Sequence, residues 1–424
     1  MKKQVFESPL GMEYVEATLD NGLKIFVMEK PEFNSCYAMF GTRYGSIDMN
    51  FAVNSGERVD LPAGTAHFLE HKLFESEDGD AFTKYAATGA SANAFTGFDR
   101  TCYLFSCGDR FYENFDILLD FVQSPYFTPE TIAKEQGIIG QEIRMYDDSP
   151  SWRVLFNMLD NMYFEHPIKT DIAGTVESIA EINYDILYKC YEAFYDPSNM
   201  FICVCGNIDA ARVLETAKQK IMDRPAAKLT RFDPEEPAGV RSSYVEEKLA
   251  VLMPMFCLGF KQEIETPYRR LKSKVCVNLL LELIAGESSP LYARLTREGL
   301  IGDGFDFEYF TGRGYAAVLF EGESSDPQKV KEEILKEIES IRENGIDKKL
   351  FSAVKYGLYG EAVRRFDSVE DMCMQFTECA ISGHGAFEEI ELIKTVSADD
   401  VYKRLDIFRS ENAVLSVVKP LEES

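Results

Sequence analysis

The stretch INYDILYKCYEAFYDPSNMFICVCG (residues 182–206) joins a helix-forming segment to an apolar run, and a related stretch, VSADDVYKRLDIFRSENAVLSVVKP (residues 396–420), closes the chain. With one gap before the last pair, the matched residues are Ile182 and Val396, Tyr188 and Tyr402, Lys189 and Lys403, Phe194 and Phe408, and Asn199 and Asn412. A helix docked on a terminal strand explains both copies. The repeat therefore predicts two similar α+β domains that face each other across a cleft, which is a common place for a substrate.

The length of 424 residues also fits two domains of about 200 residues each. Residues 223–243 contain three prolines and no clear periodicity, as is typical of a linker. We therefore predict an N-terminal domain over residues 1–222, a linker over 223–243 and a C-terminal domain over 244–424.

Local patterns predict several elements within these domains. Two short apolar runs joined by Asp20-Asn21-Gly22 predict a β-hairpin over residues 14–28. Thr128 followed by Pro129 is typical of a helix start. Helices are expected over 62–75, 111–123, 129–146, 268–285, 326–343 and 347–364, and strands over 36–48, 200–206 and 244–260.

Composition excludes some classes of function. The formal net charge of −26 argues against nucleic-acid binding, because phosphates would be repelled. Neither a secretory signal nor an uncharged apolar run of membrane-spanning length is found, so we expect no membrane span. Ten cysteines without a framework spacing, including Cys203 and Cys205 in one strand, predict reduced core thiols and a cytoplasmic location.

The segment AHFLEHKLFE (residues 66–75) holds two of the four histidines of the chain. On a helix, His67 and His71 share one face, with Cβ atoms about 6 Å apart, so both imidazoles can reach one ion. Glu70 projects near the same face and can deprotonate a metal-bound water for attack on a carbonyl. The spacing predicts a zinc site rather than two histidines packed by chance in a core helix.

A catalytic zinc needs a third protein ligand and an open position. Glu135 and Glu142 are seven residues apart and lie on one face of the predicted helix 129–146, about 10 Å apart along its axis. Only one of them can contact the ion, and the other can orient its ligands. His166 and His384 stand alone in the sequence, and His166 is a weak candidate in a predicted loop.

With these motifs the chain resembles the pitrilysin-like inverzincins, which include insulin-degrading enzyme and the mitochondrial processing peptidase. The resemblance is carried by GTAHFLEHKLFE, ASANAFTGFDRTCYLF, KEQGIIGQEI and LYKCYEAFYDPSNMFICVCGNID, and extends over the whole chain. It is strongest over residues 36–210. The implied fold class is α+β: two homologous α/β-sandwich domains, each an antiparallel sheet with helices packed on it, that form one half of a clamshell.

The resemblance also implies roles for individual residues. His67, His71 and Glu142 become the ligands of Zn²⁺, and Glu70 becomes the general base. Glu135 is counted with Glu70 among the catalytic residues, as an acid outside the ligand set. Asn93 and Ala94 match the edge that hydrogen-bonds the substrate backbone, which implies β-strand addition of an extended peptide.

One stretch departs from the family pattern. Active relatives supply an arginine and a tyrosine that bind the scissile carbonyl oxygen, but the matching stretch LTREGLIG has Thr296 and Gly302 at those positions. Arg294 or Arg297 are the available substitutes, and no tyrosine follows at the right place. We therefore expect a related partner chain to supply the arginine and tyrosine in a heterodimer. A homodimer, the alternative, would leave these donors missing.

The sequence thus predicts a zinc metalloendopeptidase that cleaves peptides or extended polypeptide segments in a closed chamber. The acidic balance favours basic peptides as substrates. The alternative is a non-catalytic or weakly active binding or scaffold half of a heterodimeric processing peptidase.

Overall fold

The computed structural model describes residues 1–8, 10–77, 79–223, 226–265 and 267–421. Strands in these residues are β1 Lys2–Glu7, β2 Glu13–Thr18, β3 Lys24–Glu29, β4 Cys36–Thr42, β5 Asn50–Val53, β6 Val59–Asp60, β7 Glu75–Ser76, β8 Gly79–Asp80, β9 Ser91–Thr96, β10 Thr101–Cys107, β11 Met200–Gly206, β12 Leu229–Arg231, β13 Tyr244–Leu249, β14 Met255–Lys261, β15 Asp306–Gly312, β16 Tyr315–Glu323 and β17 Ala413–Pro420.

The α-helices are α1 Thr65–Leu73, α2 Ala81–Thr88, α3 Phe111–Val122, α4 Pro129–Asp147, α5 Pro150–Met162, α6 Val176–Ala180, α7 Tyr184–Phe194, α8 Ala210–Lys220, α9 Pro267–Ala285, α10 Pro290–Arg297, α11 Pro327–Asn344, α12 Lys348–Arg364, α13 Val369–Ser382, α14 Glu388–Thr395 and α15 Ala398–Tyr402. Short 3₁₀ helices cover Pro167–Lys169, Pro197–Asn199, Arg365–Asp367, Lys403–Ile407 and Ser410–Asn412.

The larger sheet has the strand order β1-β2-β3-β11-β4-β10-β9. Strand β11 is parallel to β3 and antiparallel to β4, and every residue of β4 and β11 is buried. Continuous burial means that both faces of the central strands are covered, which explains their unbroken apolar runs. Strand β9, at one end of this order, carries part of the candidate site.

The second sheet repeats this arrangement in the order β13-β17-β14-β16-β15. Strand β17 is parallel to β13 and antiparallel to β14, as β11 is to β3 and β4. The predicted repeat of two related α+β domains is therefore confirmed at the level of topology. Most strand pairs in both sheets are antiparallel, as predicted, and the repeated terminal strand adds one parallel pair to each sheet.

The chain forms two compact units that exchange segments. Unit 1 contains 1–143, 171–232 and 365–386, and unit 2 contains 144–170, 233–364 and 387–424. Helix α13 packs on β4 and β11 of the first sheet, whereas α5 packs on β13, β14 and β17 of the second. The packing therefore differs from the predicted contiguous division at 1–222 and 244–424, because each sheet is covered by a helix from the other half of the sequence.

The predicted linker, residues 223–243, contains the crossing from unit 1 to unit 2 at Phe232 and Asp233. Its residues 224 and 225 lie outside the described part of the chain. The described part of this segment is held at two places. Strand β12 pairs with β5, and the Glu236 carboxylate accepts hydrogen bonds from the backbone N–H groups of residues 164–166.

Each of the six predicted helices has a counterpart among these elements, whereas the predicted strand over 244–260 is two strands, β13 and β14. The hairpin is formed by β2 and β3 with Val15 opposite Val27, and Thr128 Oγ1 accepts from Thr131 N at the start of α4. All ten cysteines are free and buried. Among the described residues, none of the helices has both the length and the apolar composition of a membrane span.

Candidate metal centre

Helix α1 carries the histidine pair and is buried along almost its whole length. It begins after Gly64, whose φ of 86° is left-handed and whose hypothetical Cβ would lie 2.4 Å from the Ala173 carbonyl oxygen. Glycine is therefore required where the helix start meets this loop. The helix packs on β9, β10 and α7, which fixes the direction of its polar side chains.

His67 and His71 lie one turn apart on α1, and their ring centroids are 4.6 Å apart. Helix α4 supplies Glu142, whose Oε1 lies 3.6 Å from His67 Nε2 and whose Oε2 lies 3.6 Å from His71 Nε2. One donor atom from each of the three side chains lies within 4.8 Å of the others. Two helices that are distant in sequence therefore converge on one small volume.

Glu135, two turns before Glu142 on α4, occupies a different position. Its Oε1 lies 3.0 Å from Nδ1 of His71, and its side chain is buried. A carboxylate accepts here, so Nδ1 carries the proton and Nε2 is the free nitrogen. Spacing alone left open which glutamate lies near both histidines. In the structure, Glu142 lies near Nε2 of both, whereas Glu135 contacts Nδ1 of His71.

Burial and neighbouring charges shift the pKa values of this cluster. Burial, with the charge of His71, lowers the pKa of His67 to about 4, so this imidazole is neutral at pH 7. Burial opposes charge on His71, but its hydrogen bond to Glu135 and the nearby carboxylates raise its pKa overall. Burial likewise opposes charge on Glu135, yet the hydrogen bond from His71 lowers its pKa.

Glu70 lies between the two histidines on α1 and is buried. Burial raises the pKa of its carboxyl group, although a hydrogen bond of 2.8 Å from Thr96 Oγ1 to Oε2 acts in the opposite direction. The sequence prediction missed Thr96. A threonine at a strand end is too common to be a signal, and only the contact of α1 with β9 identifies it.

Asn93 and Ala94 lie on β9, the terminal strand of its sheet. They pair with Leu104 and Tyr103 of β10, and Ala94 N donates to the Asn93 side-chain oxygen at 2.9 Å. The edge strand thus lies directly beside the helix that carries the histidines. An extended peptide could add to its outer side by main-chain hydrogen bonds.

The other two histidines have partners elsewhere in their own units. In unit 2, His166 Nδ1 accepts from Ile168 N at 3.1 Å, and Nε2 donates to the Arg313 carbonyl oxygen at 3.2 Å. In unit 1, His384 Nδ1 contacts Cys379 Sγ at 3.7 Å. The weak expectation that His166 could serve as a ligand is not supported by these contacts, which are those of a core histidine.

The stretch that departs from the family pattern lies at and after the end of α10. Arg294 pairs with Glu333 at 2.9 Å and with Glu337 at 3.1 Å, so its guanidinium is engaged within unit 2. Thr296, Arg297 and Gly302 are exposed. Of the two arginines considered as substitute donors, only Arg297 is solvent-exposed.

The residues present fit a zinc ion. Two imidazole nitrogens and a carboxylate oxygen are typical donors of a catalytic zinc, which leaves one position of the tetrahedron open. Ligands at about 2.05 Å in tetrahedral geometry lie about 3.3 Å apart, close to the 3.6 Å separations of Glu142 from each histidine. The low pKa of His67 favours the neutral form that binds metal.

Comparisons with known families agree with this geometry. The family model described as Insulinase (Peptidase family M16) matches residues 47–176, which contain α1 and α4. The model described as Peptidase M16 inactive domain matches residues 181–358. Together these two matches cover most of the chain.

Relatives extend over nearly the full length. The uncharacterized zinc protease YmfH of Bacillus subtilis (strain 168) is 39% identical over 406 residues, which cover 93% of this chain and 94% of that protein. The uncharacterized zinc protease YmxG of the same organism is 23% identical over 417 residues, covering 95% of this chain and 97% of that protein.

Solved structures share the fold. An M16-like peptidase from Alicyclobacillus acidocaldarius gives a TM-score of 0.93 at 33% identity, covering 98% of this chain and 100% of that chain. The periplasmic protease PqqL from Escherichia coli gives a TM-score of 0.75 at 16% identity, covering 99% of this chain and 48% of that chain.

Proposed function

Because the chain belongs to peptidase family M16, we propose that it is a zinc-dependent endopeptidase that cleaves peptides or extended polypeptide segments. The observation that carries this proposal is the convergence of His67, His71 and Glu142 within 4.8 Å, with Glu70 on the same helix. A cluster of imidazoles and carboxylates around one small volume is the arrangement that metal-assisted hydrolysis requires.

His67, His71 and Glu142 would hold the zinc. When bound, the ion supplies Lewis-acid chemistry, polarising the scissile carbonyl and lowering the pKa of a water. Glu135 fixes the tautomer of His71 through the 3.0 Å contact at Nδ1, so that Nε2 is available as a ligand. His67 contributes a neutral nitrogen because burial disfavours its protonated form.

Glu70 would act as the general base. It is buried, and burial raises its pKa towards the range in which a carboxylate accepts a proton efficiently. The hydrogen bond from Thr96 fixes Oε2 and leaves Oε1 to take the proton from the attacking water. The same group can then return the proton to the leaving amine.

We further propose that the substrate adds as a strand to the free edge of β9, with Asn93 and Ala94 contacting its backbone. The support is the position of β9 at the end of its sheet and its packing against α1. Such a mode selects extended segments rather than folded proteins. The net charge of −26 favours basic peptides.

The last part of the proposal is a partner chain that contributes residues to the active site. Arg294 is occupied by two glutamates, and Thr296 and Gly302 offer neither the guanidinium nor the phenol that would bind the scissile carbonyl oxygen. A related chain in a heterodimer would supply these donors. The same observation favours the second candidate function, a scaffold or weakly active half of such a heterodimer.

Cleavage of a quenched fluorescent peptide by the purified protein, alone and with its related partner, tests the proposal. We expect a chelator to abolish cleavage and zinc to restore it. Glu70→Gln should remove turnover while the protein still binds one zinc per chain. Cleavage that persists in chelator, or an unchanged rate in Glu70→Gln, would contradict zinc peptidase chemistry. A partner complex that cleaves equally well with wild-type and Glu70→Gln chains would favour the scaffold.

A further inference from the structure

Lys72 follows His71 on helix α1 and is completely buried, with 0% of its surface exposed. Burial of an ammonium group is costly unless carboxylates compensate its charge. A lysine in this position is therefore held by specific partners, and these partners connect it to the candidate metal centre.

Two carboxylates surround the Lys72 ammonium. Nζ contacts Oε2 of Glu75, the first residue of strand β7, and lies 3.9 Å from Oε2 of Glu135. The other oxygen of Glu135 contacts His71 Nδ1 at 3.0 Å. One carboxylate thus lies between the lysine and the histidine, with a different oxygen turned to each.

This arrangement fixes the orientation of Glu135. Its side chain is 7% exposed, so solvent compensates little of its charge. An ionic partner on Oε2 stabilises the carboxylate where it lies and keeps Oε1 directed at the imidazole. Orientation of a ligating histidine by a carboxylate on its other nitrogen typically affects metal affinity about 10- to 100-fold.

We propose that Lys72 is a positioning residue of the metal centre, which acts through Glu135 to hold His71 Nε2 towards Glu142. This inference rests on the proposed function, because it assumes that the cluster binds zinc. The competing role is structural, in which Lys72 serves only Glu75 and the short β7–β8 hairpin.

Zinc affinity, measured by competition with a chromophoric chelator, separates the two roles without relying on activity. In Lys72→Met, which keeps an unbranched side chain one atom shorter and removes the charge, we expect the dissociation constant for zinc to rise about 10-fold or more. In Glu75→Gln, the matched control, we expect a change below about twofold, since the contact with Glu135 remains. A structural role predicts an equal loss of zinc affinity in Lys72→Met and Glu75→Gln.

A double-mutant comparison tests whether the effect passes through Glu135. Lys72→Met added to Glu135→Gln should weaken zinc binding no further than Glu135→Gln alone. Unchanged affinity in Lys72→Met, or fully additive losses in the double variant, would overturn the proposal.

If Lys72→Met does not fold, Lys72→Gln takes its place. This variant, whose side chain ends in a neutral carboxamide, should bind zinc at least about fivefold more weakly than the wild type. Wild-type affinity for zinc would overturn the proposal.

The wild-type protein separates failure of this inference from failure of the proposed function. A wild-type chain that binds no zinc contradicts the peptidase proposal itself. A wild-type chain that binds one zinc, with Lys72→Met binding equally well, contradicts only the role of Lys72. Unfolding of each metal-free variant, followed by circular dichroism, shows that the compared chains are folded.

Discussion

The hydroxyl of Thr96 donates a hydrogen bond of 2.8 Å to Oε2 of Glu70, which ties the proposed general base on α1 to the edge strand β9. Thr96→Val removes this bond while keeping the shape of the side chain. A hydrogen bond to a charged group contributes about 1.5–3 kcal/mol, so we expect kcat to fall about tenfold or more. Zinc content should not change, because Thr96 contacts none of the three proposed ligands.

Thr96→Ser is the matched control, since it keeps the hydroxyl and removes only a methyl group. It should retain kcat within a few-fold of wild type in the same peptide assay. Equal rates in Thr96→Val and wild type would show that the orientation of Glu70 does not depend on this contact.

Zinc should stabilise the folded protein, because a ligand that binds only the native state raises its free energy of unfolding. At a free zinc concentration 100 times the dissociation constant, the gain is about 2.7 kcal/mol. We expect the midpoint of thermal unfolding to rise by about 5–10 °C when zinc is added to metal-free protein. Differential scanning calorimetry measures this shift directly.

The same experiment identifies the carboxylate that binds. Glu142→Gln should lose most of the zinc-dependent shift, while Glu130→Gln, an exposed residue in the first turn of the same helix, should keep it. A shift of equal size in Glu142→Gln and wild type would argue against Glu142 as a ligand.

The sequence predicted the relative positions of several side chains of the candidate site, because helical periodicity fixes which side chains share a face. The spacing of His67, Glu70 and His71 placed them together, and the seven-residue separation put Glu135 and Glu142 on one face of α4. Thr96 and Lys72 could not be found this way. Their roles depend on how α1 packs on β9 and on the carboxylates of α4 and β7, and no local pattern encodes these tertiary contacts.

His166 should make the stability of unit 2 depend on pH. Burial lowers its pKa from the usual 6.5 to about 4, and its Nδ1 must stay unprotonated to accept from Ile168 N. Between pH 4 and 6.5 the unfolded state binds more protons than the folded state, so stability rises with pH through this window. The contribution, up to about 3 kcal/mol, is fully present above about pH 6.5 and is lost as the pH falls towards 4.

Urea unfolding of wild type and His166→Gln at pH 7.5 and pH 5.0 tests this dependence. Trp152, the single tryptophan, belongs to unit 2 and reports its unfolding by fluorescence. The difference in free energy of unfolding between the two proteins should shrink by about 2 kcal/mol on going to pH 5.0. A constant difference would show that His166 titrates near its ordinary value.

The fold was predictable where a segment and its partners lie close in sequence or repeat. Turn residues, periodicity and self-similarity predicted the hairpin of β2 and β3, six helices and the repeated terminal strands β11 and β17. The exchange of α5 and α13 between the units could not be predicted from these patterns. Each helix covers a sheet built mainly from the other half of the chain, so its place depends on long-range packing that sequence patterns do not reveal.

This exchange predicts that the N-terminal half will not fold alone. Phe376 of α13 packs against Tyr14 and Phe26, with ring centroids 5.1 and 5.6 Å apart, on a sheet whose central strands are fully buried. A fragment of residues 1–232 exposes this apolar surface. We expect it to bind the dye ANS strongly and to lack the near-ultraviolet circular dichroism of packed tyrosines.

A synthetic peptide of residues 365–386, added to this fragment, should bind, reduce ANS fluorescence and restore the near-ultraviolet signal, because it supplies the missing helix of unit 1. The same peptide with Phe376→Ala should bind at least about tenfold more weakly, since it loses one large buried side chain. A fragment 1–232 that unfolds cooperatively without the peptide would show that α13 is dispensable. The contiguous division of the chain would then describe its folding better than the exchanged one.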